Sequence, residues 1–353
     1  MLNSSQRILT THMGSLPRPQ PLADLLIGQD NQDAVDEAAL KRASEEAVFR
    51  VVERQLAAGI DIGNDGEQPR VGFQTYVTSR MTGFGGAGER PEPTEIRLFP
   101  EWAKMIKARR PARARMYNAP AAEAEVRYED FAGVAEECAL FRRALDNRGQ
   151  GFAEPFMTAA SPGIVTTTLM NHFYPSHEDY LFALAAELNK EYAYIVEQGF
   201  LLQIDAPDLA MERAAFFQTQ TLSEFQASVE LHIAAINRAL DGIPPEKARL
   251  HVCWGNRDGP HTEDVELDDV LPLLLEARVG ALCLPFANPR HAHEVDQLAH
   301  TPLPPEMLLV TGTIESTSNY VEHPQVVAER IERAVRAVAV SYTHLTLPTK
   351  RIV

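Results

Sequence analysis

The sequence predicts an α/β fold, and within that class a (β/α)8 barrel (TIM barrel), from three observations. Short apolar runs alternate with longer amphipathic segments, which is the pattern of β-α units that build a mostly parallel sheet. Nearly every apolar run ends in polar residues, and chemistry gathers at the carboxyl ends of barrel strands. The Gly-rich stretch after Met81 follows no predicted strand and no G-x-x-x-x-G-K-S/T occurs, so neither phosphate-binding motif of doubly wound folds is indicated.

The individual elements follow from the apolar pattern and from helix-start signals. Ser176 with Asp179, and Ser223 with Gln226, approximate capping boxes ahead of apolar residues at helical spacing. Pro324 occupies a first-turn position ahead of a last amphipathic helix. Seven apolar runs predict strands at 8–11, 60–64, 152–159, 201–205, 250–254, 281–284 and 308–311, with an eighth, weaker run around Met116.

Composition and charge narrow the class of function. With 353 residues, 45% hydrophobic and 23% charged, the chain can bury a full core. A net charge of -16 opposes a nucleic-acid groove or an anionic membrane surface, so small-molecule chemistry is favoured. The sequence has no apolar stretch of about 18 residues and no signal-peptide pattern, which predicts a cytoplasmic protein. Three cysteines indicate a reducing compartment with free thiols as candidate metal ligands.

The sharpest local motif is His251-Val252-Cys253. Residues two apart on a strand point the same way, so His251 and Cys253 can face one metal ion at a barrel mouth. Imidazole and thiolate together suit zinc, and zinc with an open position deprotonates a bound thiol. An H-x-C pair in isolation can equally be a packed structural pair.

Two carboxylates also end apolar runs. Glu67 and Asp205 therefore face the same predicted mouth and can bind an ammonium group. Helix capping is the alternative role for both, and Asp205 lies two residues before Pro207, in a context that also suits a turn.

Across most of its length the chain resembles the C-terminal barrel of the cobalamin-independent methionine synthases, especially the short, single-barrel members. That resemblance implies the related TIM barrel of the uroporphyrinogen decarboxylase and methionine synthase type. It also implies that His251 and Cys253 are zinc ligands, and that Ser15, Glu67 and Asp205 hold the amino-acid part of a thiol such as homocysteine. The matching blocks are ILTTHMGSLPRP at 8–19, GIDIGNDGEQPR at 59–70, GFLLQIDAPDLA at 199–210, HVCWGNRDGPH at 251–261, FANPRHAHE at 286–294 and VTGTIESTSNYVEHP at 310–324.

Two departures from the family pattern lie within these blocks. Where the family carries a third, carboxylate ligand in F-E-A-A-N-P-R-H, this chain has Pro285, which cannot bind zinc. Cys283 lies two residues earlier on the same strand face and is either a substitute ligand or a core residue. Thr317 stands where long members carry a proton-donating histidine, which favours a corrinoid or other alkyl donor over methyltetrahydrofolate.

The third departure is the chain end. Short family members continue into a last strand bearing T-D-C-G-F-G, whose cysteine is a zinc ligand, whereas this chain reads VSYTHLTLPTKRIV. Those residues can be back-translated into a transposase-type sequencing adapter read in frame. We therefore expect one catalytic domain over 1–339 that lacks its last strand and helix, followed by a non-native tail over 340–353. An open seam predicts aggregation or weak zinc binding. The alternative is a genuine edge strand, because the tail has β-like character.

The sequence thus predicts a zinc-dependent thiol methyl- or alkyltransferase, most similar to 5-methyltetrahydropteroyltriglutamate–homocysteine S-methyltransferase. Its partners would be a small-molecule thiol and a methyl or alkyl donor, with Zn2+ as cofactor. Three alternatives stay open: another thiol alkyltransferase that resembles epoxyalkane:coenzyme M transferase, a metal-free enzyme of the uroporphyrinogen decarboxylase type, and an inactive ligand-binding barrel.

Overall fold

A parallel sheet forms the centre of the fold. The computed structural model describes residues 1–4, 7–109, 118–147, 151–338 and 343–346. Within these residues seven strands pair in the order β1-β9-β8-β7-β6-β5-β4, and all of these pairs are parallel. Their bounds are β1 Thr10–Thr11, β4 Phe156–Ala160, β5 Leu201–Asp205, β6 Ala248–His251, β7 Ala281–Pro285, β8 Leu308–Gly312 and β9 Thr343–Thr346; β2 Met81–Gly85 and β3 Ala121–Tyr128 form a separate antiparallel pair.

Helices cover one face of the parallel sheet. Their bounds are α1 Gln20–Asp30, α2 Glu37–Ala57, α3 Thr94–Leu98, α4 Pro100–Arg109, α5 Ala132–Asp146, α6 Pro162–Thr168, α7 His177–Glu197, α8 Leu222–Ala239, α9 Leu267–Leu274 and α10 Pro324–Ala337. Among the described helices, none combines the length and the apolar character needed to cross a membrane.

The cap of α7 is the predicted one, and the cap of α8 is not. Ser176 accepts a hydrogen bond from the Asp179 amide at the start of α7. Helix α8 begins two residues before the predicted position, because Thr221 and Glu224 form a reciprocal capping box there. Both windows fit the capping pattern, and the glutamate adds a negative charge near the helix N-terminus that the glutamine of the later window lacks.

The structure confirms the α/β class with a parallel sheet, but the named strands run in an open order and not in a closed ring. The predicted strand at 60–64 has only one bridge, from Ile62 to Thr11. Backbone hydrogen bonds nevertheless extend from this segment to both edges of the sheet. Ile62 N donates to Thr10 O at 3.0 Å, and Phe156 N donates to Gly63 O at 3.0 Å.

The structure differs from the prediction of a missing last strand. Residues 343–346, which the sequence assigns to a non-native tail, form β9 and pair with both β1 and β8. A parallel ladder is made by backbone donors and acceptors, so a segment needs no particular side chains to occupy this position. The rest of the tail, at 340–342 and 347–353, and the weak run around Met116 lie outside the described residues.

The two faces of the sheet differ in chemistry. Leu202, Leu250 and Leu282 are fully buried in the apolar cluster formed with the helices. On the alternate positions of the same strands lie polar side chains such as Gln203 and Arg249, both almost completely buried. The polar face leads to the carboxyl ends of the strands, where the predicted site residues lie.

Candidate active site

A pocket opens at the carboxyl ends of β6, β7 and β8. Its lining brings together residues that are far apart in sequence, which is the arrangement expected at the mouth of an α/β sheet of parallel strands. Its lining includes His251, His261, His291, Trp254 and Pro285.

His251 is held by Asp205 from the neighbouring strand. The two residues are paired in the β5–β6 register, and His251 Nδ1 lies 2.9 Å from Asp205 Oδ1. Gln203 Nε2 donates to the same carboxylate oxygen at 2.8 Å. Burial lowers the pKa of His251, but the neighbouring Cys253 and Asp205 outweigh burial and raise this pKa to about 10.

Cys253 follows directly on β6 and is a partly exposed free thiol. Its thiol lies close enough to His251 to raise the pKa of that imidazole. Because His251 presents Nδ1 to Asp205, its Nε2 is the nitrogen left for a metal or a substrate, and a carboxylate behind a histidine is the usual support of a metal ligand.

Glu67 is buried and carries an oxygen that nothing satisfies. Thr158 Oγ1 donates to Glu67 Oε1 at 3.0 Å, whereas Oε2 has no hydrogen-bond partner among the described residues. Burial, and then the charge of Asp205, raise the pKa of Glu67 to about 7. Two interacting carboxylates of which one lacks a donor form a receptor for a cationic group.

Glu67 also holds an unusual backbone conformation. Its φ is 52°, in the left-handed region, and its amide donates to Asp65 Oδ1 at 2.9 Å. Such conformations persist where the surrounding structure determines them, and they cluster at functional sites.

Ser15 lies on an exposed loop that packs against the Glu67 segment. Leu16 N donates to Gly66 O at 3.0 Å. Gly14 has a φ of 114°, and a Cβ at this position would stand 2.5 Å from Glu67 Oε1, so only glycine allows this approach. The structure therefore brings the predicted substrate-binding residues Ser15, Glu67 and Asp205 to one region, next to the His251–Cys253 pair.

Two buried arginines near the site are absent from the sequence-based prediction. Arg70 donates to Thr158 O at 2.8 Å and to Thr158 Oγ1 at 3.1 Å, so it orients the hydroxyl that bonds Glu67. Arg249 donates to Gln203 Oε1 at 2.8 Å and thereby positions the amide that bonds Asp205. Only Arg249 has a readable signal, because it precedes His251 by two residues on the same strand face.

The donor types at His251 and Cys253 fit zinc, but their number does not. Catalytic zinc sites generally have three protein ligands, and the third position of the family pattern is Pro285. Cys283 is fully buried, and burial raises the pKa of its thiol to about 12, so it is a core residue and not a ready ligand. Neither His251 nor Cys253 belongs to the groups of three or more close donors that occur in the described part of the chain.

No protein-family model matches the chain. Among curated proteins, it is similar to a methionine synthase of Thermococcus kodakarensis, with 27% identity over 335 residues that cover 92% of this chain and 81% of that protein. A methionine synthase of Sulfolobus acidocaldarius is 25% identical over 268 residues. That match covers 74% of this chain, which spans about two thirds (66%) of the relative's length.

Solved structures of the same fold come from two bacteria. A B12-independent methionine synthase from Shewanella sp. W3-18-1, in complex with selenomethionine, superposes with a TM-score of 0.71 at 20% identity. The match covers 96% of this chain and 90% of the Shewanella chain. A protein described as a B12-independent methionine synthase from Listeria monocytogenes gives a TM-score of 0.65 at 16% identity, covering 95% and 89% of the two chains. At these identities the likeness establishes the fold.

Proposed function

We propose that the chain, which is similar to curated methionine synthases, is a thiol S-methyltransferase whose acceptor is homocysteine. The observation that carries this proposal is the convergence of Glu67, Asp205, His251 and Cys253 at one end of the sheet. Carboxylates suit an ammonium group and the imidazole–thiol pair suits sulfur chemistry, so these four residues together match both ends of an amino-acid thiol.

In this proposal each residue has a separate task. Glu67 and Asp205 bind the ammonium group, and Glu67 Oε2 is the oxygen that has no hydrogen-bond partner among the described residues. Asp205 also fixes the ring of His251. Ser15, on the exposed loop, contacts the amino-acid part of the substrate. The substrate sulfur then forms a bond to the methyl carbon while the bond from methyl to donor breaks, and the donor leaves with the electron pair.

We further propose that His251 and Cys253 hold zinc when it is bound. Zinc supplies one thing here: it lowers the pKa of a coordinated substrate thiol so that the thiolate is present at neutral pH. With Pro285 at the third position, this chain supplies two protein ligands from its described residues, and we expect weaker zinc binding than in a complete site.

We also propose that the sheet closes as a barrel. The hydrogen bonds of residues 61–63 to β1 and β4 support this reading, because this segment occupies the gap between the two edge strands.

The choice of acceptor tests the proposed function. Homocysteine carries an ammonium group, whereas coenzyme M carries a sulfonate that Glu67 and Asp205 would repel. We expect the purified chain with zinc and a methyl donor to methylate homocysteine and to leave coenzyme M unchanged, as measured by mass spectrometry of the products. Equal turnover of the two thiols would contradict the assignment of the carboxylates, and turnover of coenzyme M alone would identify a different transferase.

The pKa of Glu67 predicts the pH dependence of substrate binding. The carboxylate is charged above about pH 7 and neutral below it, so KM for homocysteine should rise as the pH falls through that range. Glu67→Gln should raise KM roughly 10- to 100-fold at pH 8, the cost of losing a hydrogen bond to a charged group, and should flatten the acid limb. Glu101→Gln, on the exposed side of α4, is the matched control. An unchanged acid limb in Glu67→Gln would exclude this role.

Pro285→Glu should strengthen zinc binding. The residue lines the same pocket as His251, and in the β-ladder Cys283 pairs with His251, which puts Pro285 two residues further on, level with Cys253. A third donor should lower Kd by more than the roughly 10- to 100-fold that an outer-shell partner is worth. Competition against a zinc indicator measures this change, and Pro285→Gln serves as the control for size and loss of proline. Equal Kd values for the glutamate and glutamine variants would show that this position does not reach the ion.

A further inference from the structure

A second group of histidines and carboxylates lies beside the pocket, and the proposed function uses none of it. We call Glu95, His261, Asp264 and His291 the histidine–carboxylate cluster. Glu95, His261 and Asp264 each bring one donor atom to within 4.8 Å of the others. Glu95, His261 and His291 are buried, and the side chain of Asp264 is 3% exposed. His261 and His291 line the pocket, which gives an ion a path to the cluster.

Each histidine of the cluster turns one nitrogen toward Asp264 and has its other nitrogen held. His261 Nε2 lies 2.8 Å from the carbonyl oxygen of Arg257, and its Nδ1 lies 3.0 Å from Asp264 Oδ2. His291 Nδ1 lies 2.8 Å from Glu294 Oε2, and its Nε2 lies 2.9 Å from the same oxygen of Asp264. A carbonyl or carboxylate that fixes the outer nitrogen is the support found behind metal-ligating histidines, because it leaves the inner nitrogen's lone pair for the metal.

Glu95 contributes an independent observation. It is fully buried, and its Oε2 accepts a hydrogen bond from Arg257. Its Oε1 is buried with no hydrogen-bond partner among the described residues. Buried carboxylate oxygens are normally satisfied, and Glu95 also brings a donor atom within 4.8 Å of His261 and Asp264, so its unpartnered oxygen favours a ligand with positive charge at this cluster.

The charge balance of the cluster also admits an ion. When both imidazoles are protonated and donate to carboxylates, the two imidazolium groups and Arg257 carry three positive charges. The carboxylates of Glu95, Asp264 and Glu294 carry three negative charges, so the two sets balance. When a divalent cation binds, release of the His261 proton offsets one of the two charges that the cation brings. Binding therefore adds one net positive charge to a region that holds three carboxylates.

We propose that the histidine–carboxylate cluster is a divalent-cation site, separate from the His251–Cys253 pair. The donor atoms of Glu95, His261 and Asp264, one imidazole nitrogen and two carboxylate oxygens, suit Zn2+, Mn2+ or Fe2+. His291 supports this group through its contact with Asp264 Oδ2. This inference does not rest on methyl transfer, so it stands or falls separately from the proposed function.

Metal stoichiometry tests the site directly. The first sample is the full-length His251→Ala/Cys253→Ala double variant. Its metal is removed with a chelator, and the protein is then titrated with Zn2+ by calorimetry. We expect this variant to retain one zinc per chain. Adding Glu95→Gln and His261→Gln should weaken that binding at least tenfold. His300→Gln is the matched control, because this histidine is exposed and belongs to neither group of close donors in the described part of the chain.

Tryptophan fluorescence gives a second readout that does not depend on activity. Trp254 stacks on His291 with ring centroids 4.1 Å apart, so Co2+ at the cluster should quench its emission. Quenching should persist in the double variant and in His300→Gln. Failure of the double variant to bind zinc, or binding of equal strength after the Glu95 and His261 substitutions, would overturn the proposal. Should those two substitutions unfold the chain, the stoichiometry of the double variant alone decides.

Discussion

Cys253→Ala is expected to lower both the zinc affinity and the rate of methyl transfer to homocysteine. The thiol lies directly beside His251, and the described residues supply no close third donor to compensate for its loss. Each effect should exceed the roughly 10- to 100-fold that loss of an outer-shell partner costs, because a ligand itself is removed. Zinc affinity by indicator competition and initial rates of methionine formation measure the two effects.

Cys283→Ala is the control for that experiment. This cysteine lies on β7 in register with His251, so it tests the alternative that a deeper thiol replaces the missing carboxylate. Because Cys283 is fully buried with a neutral thiol, we expect zinc affinity and rate to stay near the wild-type values. Loss of zinc in Cys283→Ala, with retention in Cys253→Ala, would reverse the assignment of the two cysteines.

Glu137→Leu is expected to cause the largest loss of stability. Glu137 on α5 forms buried ion pairs with Arg70 and Arg80, and the substitution leaves both guanidinium groups short of a partner. Removal of one partner from a buried pair costs about 3–5 kcal/mol of unfolding free energy. The loss should also reach the site, because Arg70 orients Thr158 and through it Glu67. Urea unfolding at pH 7 measures the stability.

The pH dependence of this effect follows from the pKa of Glu137. Burial raises that pKa, but Arg70 and Arg80 lower it to about 2, below its ordinary value of 4.5. The group therefore contributes its stability above about pH 4.5 and loses it as the pH falls toward 2. The difference between wild type and Glu137→Leu should shrink over that range.

Glu136→Leu is the matched control for the stability experiment. Glu136 is the preceding residue and pairs with Lys41 on the surface, where the two side chains are 58% and 68% exposed. Exposed pairs are worth about 1 kcal/mol or less. Similar losses in Glu136→Leu and Glu137→Leu would mean that the buried network does not hold this part of the fold together.

The elements that the sequence predicts well are those with local signals. The strand at 201–205 has the predicted bounds, because five consecutive residues are buried on both faces of the sheet. Helix α7 begins at its predicted cap, since one serine and the amide three residues on suffice to define it. The segment at 60–64 has the apolar pattern of a strand but makes only one bridge, which its composition does not reveal.

The antiparallel pair β2–β3 has no comparable signal. Strand β3 carries exposed charged residues at three of its eight positions, so its periodicity does not stand out. Its pairing with the Gly-rich β2 depends on a partner about 40 residues away in the chain.

The candidate site also has some features that the sequence reveals and others that depend on the three-dimensional structure. The spacing of His251 and Cys253 on one strand end is visible in the sequence, as are the positions of Glu67 and Asp205 after apolar runs. The contact of Asp205 with His251 is not visible in the sequence, because it depends on the register of two strands. The buried Arg70 is equally hidden, since an isolated arginine in a sequence is usually taken for a surface residue.

Methionine formation from homocysteine tests the central claim most directly. The full chain, loaded with Zn2+, is incubated with L-homocysteine and either methyltetrahydrofolate or methylcobalamin, and methionine is quantified by mass spectrometry. We predict methionine with at least one donor, its loss after chelation, and its loss in the His251→Ala/Cys253→Ala variant. Methionine formation that is unaffected by chelation and by both substitutions would contradict the claim that this pair makes the thiol reactive.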